Sequence, residues 1–120
     1  MLTTPDVSRT VAASVTAGCE PRRERIGGSA LSPLRQVFVR AGEVILEIVG
    51  PNEVVADGIA SSAGCSLWGL AFTTADLDAC SALLGDGMGA PRDAVQKGRR
   101  IASLRHTKCG ISVPTAFMSE

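Results

Sequence analysis

Few side chains in this sequence could do chemistry, and Glu47 stands out among them. It lies in the run VILEIVGP, an acid with only aliphatic neighbours for three positions before it and two after. On a strand facing a ligand, such a carboxylate can be a general base, a cation-binding group, or one half of an ion pair with Arg40 or Arg105. Those two arginines close the stretches RQVFVR and RIASLR, each at the same interval from an earlier arginine, Arg35 and Arg100. A planar guanidinium fork suits a carboxylate or a phosphate. At a strand end it can equally keep its head in water.

The remaining reactive residue types offer less. His106, the sole histidine, stands beside Arg105 and Lys108 and reads as a solvated turn residue. The four cysteines, Cys19, Cys65, Cys80 and Cys109, form no CxxC pair and have no zinc-ligand spacing with His106. They read as reduced, half-buried thiols, and only Cys109, near His106 and Lys108, has a hint of an activating neighbour. No nucleophile elbow, phosphate-binding glycine loop or paired-carboxylate motif is present.

Composition narrows the partners. With 12 Lys and Arg against 12 Asp and Glu, the chain has no basic stripe for a phosphate backbone. Aromatic residues are 3% and Tyr is absent, so base-stacking platforms are not expected either. No cationic leader and no run of about 20 apolar residues appears, which points to a cytoplasmic protein without membrane contact. A chain of 120 residues is expected to form one domain that buries about two-thirds of its unfolded surface.

The elements that must position Glu47 and the arginines are written twice. Leu2-Thr3-Thr4-Pro5-Asp6-Val7 returns as Phe72-Thr73-Thr74-Ala75-Asp76-Leu77, and a Pro-Arg pair follows at Pro21-Arg22 and again at Pro91-Arg92. Self-similarity of this kind predicts two copies of one supersecondary unit. In the first copy, Thr4 is the expected N-cap and Pro5 the first helical residue. Val7, Val11, Ala12 and Val15 share a face, and Gly18 stops the helix. A short polar strand over Arg22–Ile26, a loop over Gly27–Pro33, and a hairpin of Gln36–Arg40 with Val44–Val49 across Ala41-Gly42-Glu43 follow. In the second copy, a strand over Leu67–Phe72 leads into a helix from about Ala75 to Leu84. Strands near Ala94–Gln96, Arg100–Arg105 and Val113–Met118 complete it.

Each copy is thus expected to be βαβββ. The fold class is α+β: two modules, 1–51 and 65–120, joined by a linker over 52–64, forming a curved, cupped mixed sheet with outer helices. The first module lacks its opening strand, since only Met1 and Leu2 precede the helix start. A start further upstream would account for the shortfall. Otherwise the first sheet has an unpaired edge, and a homodimer covering it is expected.

Strand alternation places Glu47 with Ile45 and Val49, and with Gln36, Phe38 and Arg40, on the face away from the helix. In the second copy it places Leu67, Gly69, Ala71, Ser103 and Arg105 on that face, and Trp68, Leu70 and Phe72 beneath the helix.

The paired TPD and TAD helix starts, FVRAGEVILEIVGP, WGLAF, PRDAVQKGRRIASLR and the closing VPTAFMS together resemble the vicinal oxygen chelate superfamily, the glyoxalase, bleomycin-resistance and extradiol-dioxygenase fold. The resemblance covers nearly all of the chain, with the bacterial glyoxalase-like group as its nearest flavour. In metal-dependent members it implies four ligands, a His or Gln on the first strand of each module and a Glu on the last. Glu47 stands at the first Glu position. Gly69 stands where the second module's His belongs, Ala116 stands at its Glu position, and the remaining His position falls before Met1. One donor of four predicts no metal and no cofactor. What is expected is a small-organic-molecule site lined by Gln36, Phe38, Arg40, Ile45, Glu47, Gly69, Ser103, Arg105 and Ala116. Three functions remain open: a metal-independent binder, a glyoxalase-like lyase or isomerase whose metal site is completed across a dimer, and a structural subunit with a vestigial hollow.

Overall fold

The computed structural model describes residues 1–53 and 64–120. Most of the expected linker, positions 54–63, lies outside the described residues. The chain divides into two compact units, Met1–Leu67 and Trp68–Glu120.

The first unit runs β1 (Leu2–Thr3), α1 (Val7–Thr16), β2 (Glu20–Ser29), β3 (Ser32–Ala41), β4 (Val44–Pro51) and β5 (Ser66–Leu67). Its sheet has the order β2-β3-β4-β1-β5, with β1 parallel to β4 and every other pairing antiparallel. The second unit runs β6 (Leu70–Thr74), α2 (Leu77–Leu84), a 3₁₀ turn over Gly85–Gly87, β7 (Arg92–Asp93), β8 (Arg100–Ser103) and β9 (Thr115–Ser119), in the sheet order β6-β9-β8-β7. In both units the opening strand pairs parallel with the closing one, and the intervening hairpin strands follow outward in the same order. The duplication in the sequence is therefore a duplication of topology, βαβββ twice, in an α+β chain with two mixed sheets. The opening strand expected to be missing from the first module is present, shortened to the two residues of β1 that pair with Ile48 and Val49.

Both helices start on an aspartate. The Asp6 carboxylate accepts the Arg9 N–H at 2.9 Å, and the Asp76 carboxylate accepts the Ala79 N–H at 2.8 Å. The two caps share nearly one extended conformation, φ −136° and ψ 97° against φ −134° and ψ 99°. The expected cap at Thr4 moves two positions to Asp6, and the expected helix start near Ala75 moves two positions to Leu77; for Thr4 the sheet supplies the reason. Thr4 N–H donates to the Val49 carbonyl at 2.9 Å, which holds Thr4 extended beside β4. Gly50 makes that approach possible, because a Cβ there would collide with the Thr4 carbonyl oxygen and meet Val7 Cγ2 at 2.8 Å.

The first core is small: Val7, Val37, Val39 and Ile48, with Leu2, Val11, Cys19 and Leu46 packed around it. Val15, expected on the buried face of α1, is half-exposed at 51%. The second core is Leu77, Met88 and Ala102 with Cys80, Leu84 and Phe117 around them, and the Phe117 ring lies 5.9 Å from Phe72.

Three further expectations are corrected. The loop expected over Gly27–Pro33 is strand: β2 and β3 pair through to Ser29 and Ser32, and Gly28 turns with φ +79°. The predicted strand Leu67–Phe72 breaks at Trp68-Gly69, so Leu67 pairs with Leu2 in the first sheet while Leu70 starts the second. Gly69 is buried against the Pro114 carbonyl, 2.8 Å from where a Cβ would stand. Trp68 falls at this break and is 54% exposed, so it is not the core residue that its parity implied.

Candidate functional site

The sheet of the first unit has one face under α1 and one open face, and alternation decides which side chains take which. Val37, Val39, Leu46 and Ile48 go to the helix. Arg35 also goes there: it donates to Glu24 Oε1 at 2.7 Å, to Glu24 Oε2 at 3.2 Å and to Ser8 Oγ of α1 at 2.7 Å. The alternate residues, Gln36, Phe38 and Arg40 of β3 with Ile45, Glu47 and Val49 of β4, form the open face. The register sets Phe38 directly across from Glu47, Arg40 across from Ile45, and Gln36 across from Val49.

Glu47 is half-buried on this face and is held by an amide rather than a cation. Gln36 Nε2 donates to Glu47 Oε1 at 3.2 Å. Among the described residues of the first unit, the expected pairing with Arg40 is not formed. Arg40 folds back on its own hairpin, donating to the Gly42 carbonyl at 2.9 Å and standing 3.5 Å from Glu43. Arg105 belongs to the second unit, where its Nη1 donates to the Asp86 carbonyl at 2.9 Å and so caps the end of the α2 segment. Arg40 is thus recruited by a carbonyl of its own turn, and Arg105 by a carbonyl 19 positions earlier within its own unit.

The open face contains an arginine that the sequence reasoning passed over. Arg25 of β2 lies directly across from Gln36, and Arg23 across from Phe38. Arg25 Nε and Gln36 Oε1 are both buried and without a hydrogen-bond partner among the described residues. The available signal was alternation within Arg23-Glu24-Arg25, where the acid turns to the helix and the two cations turn away from it.

In the second unit, Ser103 lies across from Ala116, and Ala116 is in parallel register with Ala71. Ser103, Ala116 and Ala71 make a small-residue surface on the side of the sheet away from α2, and Gly69 lies just before β6. Ser103 carries the only side-chain hydroxyl among these four positions.

The donor set does not fit a metal of the kind the resemblance implies. Glu47 has Gln36 beside it, whereas Gly69 and Ala116 have no ligating side chain, and the backbone at Gly69 leaves no room for one. Among the described residues no three His, Cys, Asp or Glu side chains come together. His106 is held at its turn, with Nδ1 3.0 Å from the Ile111 carbonyl oxygen. Among the thiols, Cys65 has hydroxyl neighbours. Thr10 Oγ1 lies 3.2 Å from Cys65 Sγ. Hydrogen bonds from Thr10 and then Thr4 lower the Cys65 pKa, the Arg9 charge adds to them, and partial burial opposes.

Two βαβββ units, each with its opening strand parallel to its closing strand, define the vicinal oxygen chelate fold, and this chain has that fold. No family model matches the chain, and no curated protein does so significantly. Among solved structures it is similar to a variant of Streptomyces coelicolor methylmalonyl-CoA epimerase in complex with 2-nitronate-propionyl-CoA, at 24% identity over 99% of this chain and 92% of that one, with a TM-score of 0.68. It is also similar to methylmalonyl-CoA epimerase from Mycobacterium tuberculosis, at 15% identity over 98% and 83% of the two chains, TM-score 0.70. A methylmalonyl-CoA epimerase in complex with methylmalonyl-CoA and NH4+ matches at 22% identity over 99% and 90%, TM-score 0.67. At these identities the likeness is one of fold. Among the described residues, no helix is long and apolar enough to cross a membrane.

Proposed function

We infer that this protein binds a small organic molecule on the open face of its first sheet, without a metal. The observation that carries the reading is the Gln36–Glu47 pair set between Phe38, Ile45 and Val49: a few convergent polar groups on an apolar surface. The structural neighbours crystallised with acyl-CoA ligands support the same class of ligand. A thermal-shift screen of small acids, acyl-CoA thioesters and aromatic or cationic compounds tests it. A ligand present at a hundred times its dissociation constant stabilises by about 2.7 kcal/mol. No stabilisation by any class, with the Glu47→Gln protein behaving identically, would sink the reading.

A second reading, an isomerase acting beside a carbonyl, is favoured by Glu47 itself and by the epimerase neighbours. A carboxylate steadied by an amide can remove a proton α to a thioester carbonyl and return it. Inversion needs a second acid on the other side of the carbon, and among the described residues of β3 and β4 Glu47 is the only carboxylate. The expected signature is exchange of the α-proton of methylmalonyl-CoA in D2O with little inversion, abolished by Glu47→Gln. Absence of exchange in the wild-type protein would eliminate this reading and leave the first.

The protein is further proposed to be a cytoplasmic homodimer. β1 pairs with β4 only at Ile48 and Val49, so Val44–Leu46 present an edge with no strand beside it among the described residues. Such edges are normally covered. A monomeric mass by light scattering at micromolar concentration would refute the dimer.

A further inference from the structure

The arginines of the first sheet divide into two groups. Arg22 pairs with Glu20 at 2.9 Å, Arg35 with Glu24, and Arg40 with its own hairpin. Arg23 and Arg25, both on the open face, have no ion pair among the described residues. Arg25 is the more telling of the two, because it is half-buried and its Nε is fully withdrawn from solvent without an acceptor. An ionised donor in that condition is unfavourable until an acceptor arrives, and an oxyanion is the acceptor that a guanidinium fork fits best. Directly across the strand pair, Gln36 Oε1 is an acceptor without a donor, while the nitrogen of the same amide is engaged by Glu47. An unfilled donor and an unfilled acceptor on neighbouring strands describe the complement of one molecule.

We propose that Arg25 holds the oxyanion of the ligand, a carboxylate or a phosphate, and that Gln36 Oε1 accepts a hydrogen bond from a hydroxyl or N–H next to it. The orientation follows from the charges. Glu47, on β4, repels the anionic end, so that end lies over β2 at Arg25. The uncharged part extends across β3 toward Phe38 and Ile45. The ligand class is a small organic oxyanion with an adjacent donor and an apolar remainder, for which a 2-hydroxy acid is the simplest example. The assignment rests on the binding reading above and adds to it a charge, an orientation and an anchoring residue.

The test is a titration of the full chain, followed by ¹⁵N–¹H correlation spectra, with three probes: 2-hydroxyisovalerate, its neutral amide, and inorganic phosphate. The acid is expected to shift the Arg25, Gln36 and Glu47 amides and to bind at least tenfold more tightly than the amide. Arg25→Gln, with a dispersed spectrum showing it folded, is expected to weaken the acid at least tenfold, and Arg23→Gln less than threefold. Phosphate binding at the same amides as tightly as the acid would assign the oxyanion to phosphate esters, and weaker phosphate binding would assign it to carboxylates. An amide that binds wild-type protein as tightly as the acid does would overturn the role of Arg25 while leaving the small-molecule reading intact. That comparison needs no variant. Binding by neither acid nor amide would end the oxyanion assignment, and the thermal-shift screen then decides the broader reading separately.

Discussion

Gly50→Ala isolates the contact on which the first unit turns. Gly50 is buried at the end of β4, where the chain entering α1 crosses it. Its φ is not in the left-handed region, so alanine meets no backbone penalty there and the whole effect is steric. The new methyl would overlap the Thr4 carbonyl oxygen and stand 2.8 Å from Val7 Cγ2 and 3.3 Å from the Thr4 carbonyl carbon. Thr4 cannot retreat freely, because its N–H is bonded to Val49 O at 2.9 Å and its hydroxyl lies 2.8 Å from the Thr10 hydroxyl. Overpacking of this kind costs roughly 1–3 kcal/mol. Loss of the Thr4–Val49 hydrogen bond adds about 1 kcal/mol. Gly50→Ala is therefore expected to destabilise by about 2–4 kcal/mol in urea unfolding with an unchanged denaturant slope. Gly27→Ala is the internal control: its Cβ would make an ordinary 3.5 Å contact with Gln36 Oε1, and its φ is also not positive. It should be neutral or stabilising by up to about 1 kcal/mol, through the unfolded chain. A Gly50→Ala protein within about 0.5 kcal/mol of wild type would refute the reasoning, since surface substitutions alone reach that range.

Further expectations follow from the same contacts. Ile48→Ala, at a residue 1% exposed in a core of four buried side chains, should cost about 2–5 kcal/mol by chemical denaturation. Asp76→Ala removes the acceptor for the Ala79 N–H and should cost about 0.5–2 kcal/mol, whereas Asp76→Asn should retain most of it. Glu24 governs a pH effect: hydrogen bonds from Arg35, with its charge adding and slight desolvation opposing, hold the Glu24 carboxyl below its ordinary value of 4.5. A depressed folded-state pKa means stability fully present above the ordinary value and lost as pH falls through the lower folded one. The unfolding midpoint of Glu24→Gln should accordingly be flatter than that of wild type below pH 4.5, and parallel curves would contradict the pairing.

The duplication was legible from residues 2–7 and 72–77 alone, and so was the side of the sheet that Glu47 takes. Alternation is a local property with a period of two, and a run such as VILEIV states it without reference to anything distant. The same reasoning sent Phe72 to the helix side, where it meets Phe117. Where the reading went astray, the deciding partner was remote in the chain. Thr4 has every appearance of a cap until Val49, 45 positions later, takes its N–H. Polar, glycine-containing Gly27–Ser29 becomes strand because β3 supplies hydrogen bonds that outweigh its own weak preference.

The site divides in the same way. By itself the sequence determined the fold, the open-face parity of Glu47 and Gln36, and the poverty of metal donors at Gly69 and Ala116. Only the tertiary structure decided that Glu47 meets an amide, that Arg105 turns to a backbone carbonyl far along the chain, and that Arg25 has a buried Nε with no acceptor among the described residues. The reason is physical: a side chain's face is set by its own backbone, but its partner is set by which strand lies beside it and in what register. Both conditions come from residues the local pattern does not contain.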